Sequence, residues 1–168
     1  MSTENALVAL LREGVSIQEE AVDSKRDLED ALRSACNAFI DHTSAKLVGE
    51  TIQLVEQCQK AGTENLKDQR FFEGTKVKDM LTKNASDLED RLVDVTAQMS
   101  LYLENPATQS ILVKPIARRI TKALEELRKH IVVVEDGTNG WDENVRGQIF
   151  LTVDEIDKAV KKASKLAK

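Results

Sequence analysis

Hydrophobic residues recur along most of this chain at intervals of three and four, the spacing that places them on one face of an α-helix. The clearest run lies in the middle of the chain and consists of Val77, Leu81, Ala85, Leu88, Leu92, Val95, Met99 and Tyr102. Because the spacing holds over so many turns, we predict a long amphipathic helix that keeps one face against its neighbours.

Two further helices are predicted after it. Asn105 and Pro106 suit the N-cap and the first turn of a helix, and Pro115 is expected either to kink that helix or to mark its true start. Its apolar stripe consists of Leu112, Ile116, Ile120, Ala123, Leu127, Ile131 and Val134. The last helix is expected to begin near Asp142, and a capping box at Thr152 is the later alternative. Its stripe consists of Val145, Ile149, Val153, Ile156, Val160 and Ala163.

The sequence of the N-terminal third predicts shorter helices. A short helix over residues 4–13 is expected to stop at Gly14, and a capping box beginning at Ser16 is expected to start a second helix. The second stripe is predicted to be buried and consists of Ile17, Ala21, Leu28, Leu32, Ala35 and Phe39. Residues 41–43 favour a break before the pattern resumes towards Gly62, with a continuous helix as the alternative.

These patterns predict the fold class. Residues 131–134, Ile-Val-Val-Val, have strand propensity, but a run of four inside a helical pattern with no second strand to pair with is read as helix. The chain has only two prolines and 4% aromatic residues, which also favours helix. We predict an all-α, up-and-down antiparallel bundle of four long helices plus one or two short ones, forming a single domain over residues 1–168.

Charge is unevenly distributed along the chain. Residues 1–105 carry 12 lysines and arginines against 20 aspartates and glutamates, whereas residues 106–168 carry 12 against 9. The densest basic positions are Lys158, Lys161, Lys162, Lys165 and Lys168. They are predicted to meet an acidic protein surface or, as peripheral contact, anionic lipid headgroups. The alternative is a solvated last helix whose lysines complement the helix dipole.

Several classes of chemistry lack the residues they need. The two histidines and two cysteines do not have a spacing that would assemble a zinc site, and neither His42 nor His130 has a glutamate three residues before it, as a di-iron bundle requires. Cys36 and Cys58 lie on apolar stripes and are expected to be structural. We therefore predict no metal, no cofactor, no small-molecule substrate and no enzymatic activity.

Location and partner class follow from the same composition. The sequence pI of 5.2 argues against a nucleic-acid binder. No secretory leader opens the chain, and no run approaches the roughly 18 apolar residues of a membrane span. The chain is expected to be soluble and cytoplasmic and to bind another protein.

His42 gives a second interpretation. A histidine followed one helical turn later by a lysine is similar to the phosphorylatable site of histidine phosphotransfer bundles, where the cation steadies the phosphoryl charge. That family has the lysine three residues after the histidine with glycine following, whereas here Lys46 is four residues on and Leu47 follows it.

From residue 88 to residue 134 the chain resembles a helix pair of the vinculin and α-catenin superfamily. The similar elements are the segments Leu88–Val93, Glu104–Pro106 and Ala117–Ile120, then Leu124 and Leu127, and finally Val132–Gly137. The resemblance implies a cytoskeletal adaptor that binds actin or an adhesion complex, with Arg118 and Arg119 joining the C-terminal lysines in partner binding.

The leading functional prediction is therefore a non-catalytic protein-interaction module, an adaptor or tether linked to the cytoskeleton. The alternatives are a histidine phosphotransfer-like signalling bundle and a subunit of a larger helical tethering complex.

Overall fold

The computed structural model of the chain describes the backbone of residues 3–166 and the side chains of residue 9 and residues 20–165. The α-helices are α1 (Thr3–Ala61), α2 (Gly74–Tyr102), α3 (Pro106–Val132) and α4 (Glu143–Leu166), with 3₁₀ helices at Thr63–Asp68 and Arg70–Phe72. Over the described backbone no strand forms. The predicted all-α fold with four long helices and short additional ones is confirmed.

The chain divides into two compact units, residues 1–39 and residues 40–168. The first consists of the N-terminal part of α1. The second contains the rest of α1, both 3₁₀ helices and α2 to α4. The single domain over residues 1–168 stays a prediction.

Helix α1 is longer than the sequence pattern predicted. Its backbone passes through Gly14 without ending, and it also passes through residues 41–43, so the predicted stop and the predicted break are both wrong. Glycine costs a helix only about 1 kcal/mol relative to alanine, which a long helix tolerates. Helix α1 is kinked at Val48, with φ −140° and ψ 40°, so two helical segments join there, five residues after the predicted break. The side chain of Ser16, at the predicted capping box, lies outside the described residues.

Helix α3 begins where its N-cap signal predicted. The Asn105 side-chain oxygen accepts a hydrogen bond from the amide of Ala107 at 2.9 Å, and Pro106 occupies the first helical position. Pro115 lies inside α3 and does not mark its start. The helix ends at Val132, so the strand-forming residues 131–134 form the end of a helix and the start of a turn.

Helix α4 takes the earlier of its two predicted starts. The Asp142 carboxylate accepts from the amide of Val145 at 2.7 Å, capping the first turn. Thr152 lies inside the helix, where its hydroxyl donates to the carbonyl of Gln148 at 3.1 Å. The alternative capping box at Thr152 is therefore wrong.

The four helical segments of residues 40–168 pack around one core. Helix α4 packs against both α2 and α3. The end of α1 runs antiparallel to α2, since Thr51 pairs with Asn84 while Lys46, five residues earlier, reaches Gln98. The predicted stripes supply most of the buried apolar side chains, which include Val77, Leu81, Leu88, Val95, Ile116, Ile120, Leu127, Ile149, Val153 and Ile156. Tyr102 is an exception, because it is 84% exposed.

One end of this core is closed by the segment between α3 and α4. The indole Nε1 of Trp141 donates to the carbonyl of Phe72 at 2.7 Å, and the two rings lie 5.0 Å apart. The amide of Gly74 donates to the carbonyl of Asn139 at 2.9 Å. A Cβ at Gly74 would lie 2.5 Å from the carbonyl oxygen of Gly140, so only glycine permits this approach.

Candidate partner-binding surfaces

The apolar face of α1 is exposed over residues 20–38 and half-buried at Phe39. We call Ala21, Leu28, Leu32, Ala35 and Phe39 the α1 stripe. Leu28 is 61% exposed and Leu32 57%, and every side chain from residue 20 to residue 38 is exposed. The predicted burial of these positions is wrong, because a 3–4 spacing specifies which residues share a face and not what covers that face. Ile17, the first predicted member, lies outside the described side chains.

The two cysteines have different environments. Cys36 lies in the same exposed segment, whereas Cys58 is fully buried. Burial raises the pKa of the Cys58 thiol to about 12, so this side chain behaves as a small hydrophobic residue. The structural role predicted for both cysteines therefore fits Cys58. It does not fit Cys36, whose side chain is exposed.

A polar network surrounds the departure from helical geometry at Val48. The Leu47 carbonyl accepts a hydrogen bond from the Arg91 guanidinium on α2 at 3.1 Å. The same guanidinium donates two hydrogen bonds to the Glu50 carboxylate, at 3.1 and 3.2 Å, and a third at 3.4 Å to Asp87. Arg91 therefore ties the irregular turn of α1 to α2.

Two uncharged side chains complete this network. Asn84, almost fully buried, donates to Glu50 at 3.1 Å and accepts from the Thr51 hydroxyl at 2.9 Å. Hydrogen bonding to Arg91 holds the pKa of the Glu50 carboxyl at about 2. A general base at neutral pH needs a pKa near 7. The Glu50 carboxylate is therefore suited to stabilising the bundle and not to proton transfer.

A concave apolar surface lies among α2, α3, α4 and the Leu47 turn. We call this surface the apolar groove; its volume is about 590 Å³. Its residues are Leu47, Glu89, Leu92, Val93, Val95, Thr96, Ala97, Met99, Ser100, Gln109, Val113, Ile116, Ala117, Val160 and Ala163. Val93 on its α2 side is 62% exposed. The groove is lined mostly by aliphatic side chains, as protein-binding and ligand-binding surfaces are.

The predicted basic positions are only partly brought together. Arg118 and Lys161 line a shallow depression beside the apolar groove, together with Lys114 and Lys122. We call these four residues the basic stripe. Sequence reasoning missed Lys114 and Lys122, although their spacing of four from Arg118 was a usable signal for a common helix face.

The remaining predicted basic residues lie elsewhere or are already paired. Arg119 forms an ion pair with Asp41 at 3.1 Å, and within the basic stripe Lys161 pairs with Asp157 at 2.8 Å. Lys158, Lys162 and Lys165 are exposed on α4, and Lys168 lies outside the described residues.

His42, the candidate phosphoryl acceptor, is exposed on α1. The lysine that would steady a phosphoryl group, Lys46, donates to the side-chain oxygen of Gln98 at 2.9 Å. Across the described residues, histidine, cysteine, aspartate and glutamate form no group of three that could hold a metal ion. No helix within the described part of the chain is long and apolar enough to cross a membrane.

Comparison with known proteins gives one consistent result. A family model described as the COG3 C-terminal cap domain matches residues 34–139. Three similar proteins are each named Conserved oligomeric Golgi complex subunit 3. The Mus musculus protein is 29% identical over 146 residues, covering 81% of this chain and 17% of the relative. The Drosophila melanogaster protein is 23% identical, covering 84% and 17%, and the Dictyostelium discoideum protein 26%, covering 77% and 15%.

The chain thus spans about 17% of the length of the curated relatives it matches. No solved structure matches it.

These matches correct three predictions. The resemblance to the vinculin and α-catenin superfamily is wrong, because residues 88–134 fall inside the segment that matches the COG3 model. Spaced leucines and a proline-capped turn occur in many helical bundles and do not identify one family. The prediction of actin binding or cell adhesion fails with it. The cytoplasmic assignment is also wrong, since the relatives are named as subunits of a Golgi complex.

Proposed function

The chain belongs to the COG3 C-terminal cap domain family, and on that premise we propose that it is a non-catalytic helical module of a subunit in a multi-subunit Golgi complex. Its task is to bind a neighbouring subunit, which is the function of a tethering-complex subunit and not of a cytoskeletal adaptor. The observation that carries this proposal is the exposed α1 stripe.

The α1 stripe has the pattern of a helix that packs against another helix. Leu28, Leu32, Ala35 and Phe39 follow one another at intervals of four, three and four, as in the seam of a coiled coil. Burying one exposed leucine stabilises an assembly by about 1.5–3 kcal/mol. Leu28 and Leu32 together therefore contribute about 3–6 kcal/mol to a helix–helix contact, against a loss of translational and rotational freedom that costs about 4 kcal/mol or more.

The charged residues of segment 20–39 indicate which side of the helix a partner contacts. Residues 20–39 carry five acidic and three basic side chains in mixed order. Charges of both signs on one helix are typical of a solvent-exposed face. A helix–helix contact along the α1 stripe explains both the apolar and the charged positions.

The test changes the α1 stripe in the full-length subunit. We expect the double variant Leu28→Asp/Leu32→Asp to reduce co-purification of the other complex subunits by at least about ten-fold, because two charges would be buried in the contact. The matched control Ser34→Asp/Asn37→Asp adds the same charge to exposed positions away from the stripe. Circular dichroism establishes that both variants stay helical. If the helical Leu28→Asp/Leu32→Asp variant co-purified the other subunits as well as the wild type does, the proposal would be rejected.

A further inference from the structure

The apolar groove presents a second surface, separate in sequence from the α1 stripe. Leu101, which is 77% exposed, follows the lining residue Ala97 by four positions and so extends the same face of α2 beyond the groove. Exposed apolar residues that adjoin a concave apolar floor mark an interaction site more strongly than scattered ones do.

The shape of the apolar groove indicates which kind of partner it can bind. Along α2 it extends from Glu89 to Ser100, which at 1.5 Å per residue is about 16 Å, or three helical turns. A concave trough of that length accepts the apolar face of a helix. A bilayer surface is flat on this scale and would touch only its rims, so the shape favours a protein helix over a membrane.

The basic stripe indicates that a helix bound in the apolar groove carries acidic side chains. Lys114, Arg118 and Lys122 are spaced by four on α3, where like charges repel one another. Among the described ion pairs none involves these three side chains. Ala117 lines both the apolar groove and the depression that holds the basic stripe, so the two surfaces adjoin. Glu125 also lines this depression and offsets part of the positive charge, and carboxylates of a partner would offset the rest.

We propose that the apolar groove receives an amphipathic helix of a neighbouring protein, whose apolar face packs on Val113 and Ala97 and whose carboxylates meet Lys114 and Arg118. The partner is defined by this chemistry: a helix of about three turns with aspartates or glutamates along one flank of its apolar face. The ion pairs would orient the helix and fix its register in the groove.

Site-specific photo-crosslinking tests this inference. The full-length subunit carries p-benzoylphenylalanine at position 97, an exposed position that lines the apolar groove, and in a second preparation at position 113. The complex is irradiated in cells, and the crosslinked peptide is identified by mass spectrometry. We expect both positions to crosslink to one helical segment of another protein with acidic residues at three- and four-residue spacing.

Charge reversal is the second arm of this test. Lys114→Glu/Arg118→Glu is expected to lower the crosslink yield at least five-fold, by repulsion of the acidic flank. The matched control Lys60→Glu/Lys83→Glu makes the same change in charge at two exposed positions outside the apolar groove and is expected to leave the yield unchanged.

Four outcomes would overturn the inference: no crosslink, a crosslink to lipid, a crosslink to a second copy of this chain, or a crosslink to a segment without acidic residues. Because the inference uses a different surface, co-purification that depends on the α1 stripe would persist in each case. Its failure is therefore distinguishable from that of the proposed function.

Discussion

At the scale of single residues, Arg91 connects α1 to α2. Its guanidinium donates to the Leu47 carbonyl and to the carboxylates of Glu50 and Asp87. One side chain therefore provides a hydrogen-bond donor for a carbonyl in the irregular turn and joins two helices. Exposed ion pairs contribute little to stability, but a two-pronged arginine–carboxylate contact with a buried amide behind it is a stronger arrangement.

This network predicts a pH dependence of stability. The pKa of Glu50 is about 2 in the folded chain against an ordinary value of 4.5. Between those values the unfolded chain binds more protons, so the contribution of Glu50 to the free energy of unfolding is complete above pH 4.5 and is lost as the pH falls through about 2. We expect Glu50→Gln to remove this part of the pH dependence in urea titrations between pH 2 and pH 6.

Glu56→Gln is the matched control for that experiment. Glu56 is exposed on the same helix and forms none of the described ion pairs, so its variant should retain the wild-type pH dependence. An unchanged pH dependence in Glu50→Gln would show that Arg91 does not stabilise the folded chain through Glu50.

At the scale of elements, Pro115 is the residue least suited to its helix. Inside α3 it cannot donate the hydrogen bond that position 115 would make to the carbonyl of Ile111, and its ring crowds the preceding turn. The helix nevertheless runs from Pro106 to Val132, so packing of its apolar stripe outweighs this local cost.

We therefore expect Pro115→Ala to raise the free energy of unfolding by about 1–3 kcal/mol, because it restores a hydrogen bond and removes a clash. Chemical denaturation measures the change. Gly147→Ala serves as a benchmark, since a Cβ at that α4 position meets no atom within 4 Å, and about 0.5–1 kcal/mol is expected there from helix propensity alone. A less stable Pro115→Ala variant would show that α3 packs best in its proline-containing form.

Which elements the sequence could predict depends on where their determinants lie. The positions of α2 and α4 follow from stripes that face neighbours in the same chain, and the start of α3 follows from a local cap at Asn105. Signals such as Gly14 or residues 41–43 only permit a helix to end. Such signals do not require it to end, and no local pattern encodes the long-range contact of Arg91 with the turn at Val48.

The candidate surfaces were harder to predict for a related reason. The α1 stripe was recognised as apolar but assigned to the core, because the sequence does not contain the partner that would cover it. The basic stripe depends on α3 and α4 packing side by side, which places Lys161 near Arg118 although they are far apart in sequence. Only the α3 half of that stripe follows a simple local spacing.

At the scale of the whole molecule, the chain combines a self-sufficient core with surfaces suited to other proteins. Residues 40–168 bury a continuous set of apolar side chains, whereas residues 20–38 expose theirs. The relatives, of which the chain covers about 17%, are named as subunits of an oligomeric complex. An exposed apolar helix fits a module that completes its packing only when it is assembled.

The labelling rate of Cys36 reports whether a partner covers the α1 stripe, because this exposed thiol lies beside the stripe while Cys58 is buried. A thiol reagent should modify Cys36 rapidly in the isolated chain and at least about ten-fold more slowly in the purified multi-subunit complex, with Cys58 unmodified in both. Mass spectrometry of the two cysteine peptides gives the rates. Equal labelling of Cys36 in the chain and in the complex would contradict the proposal that a partner covers the α1 stripe.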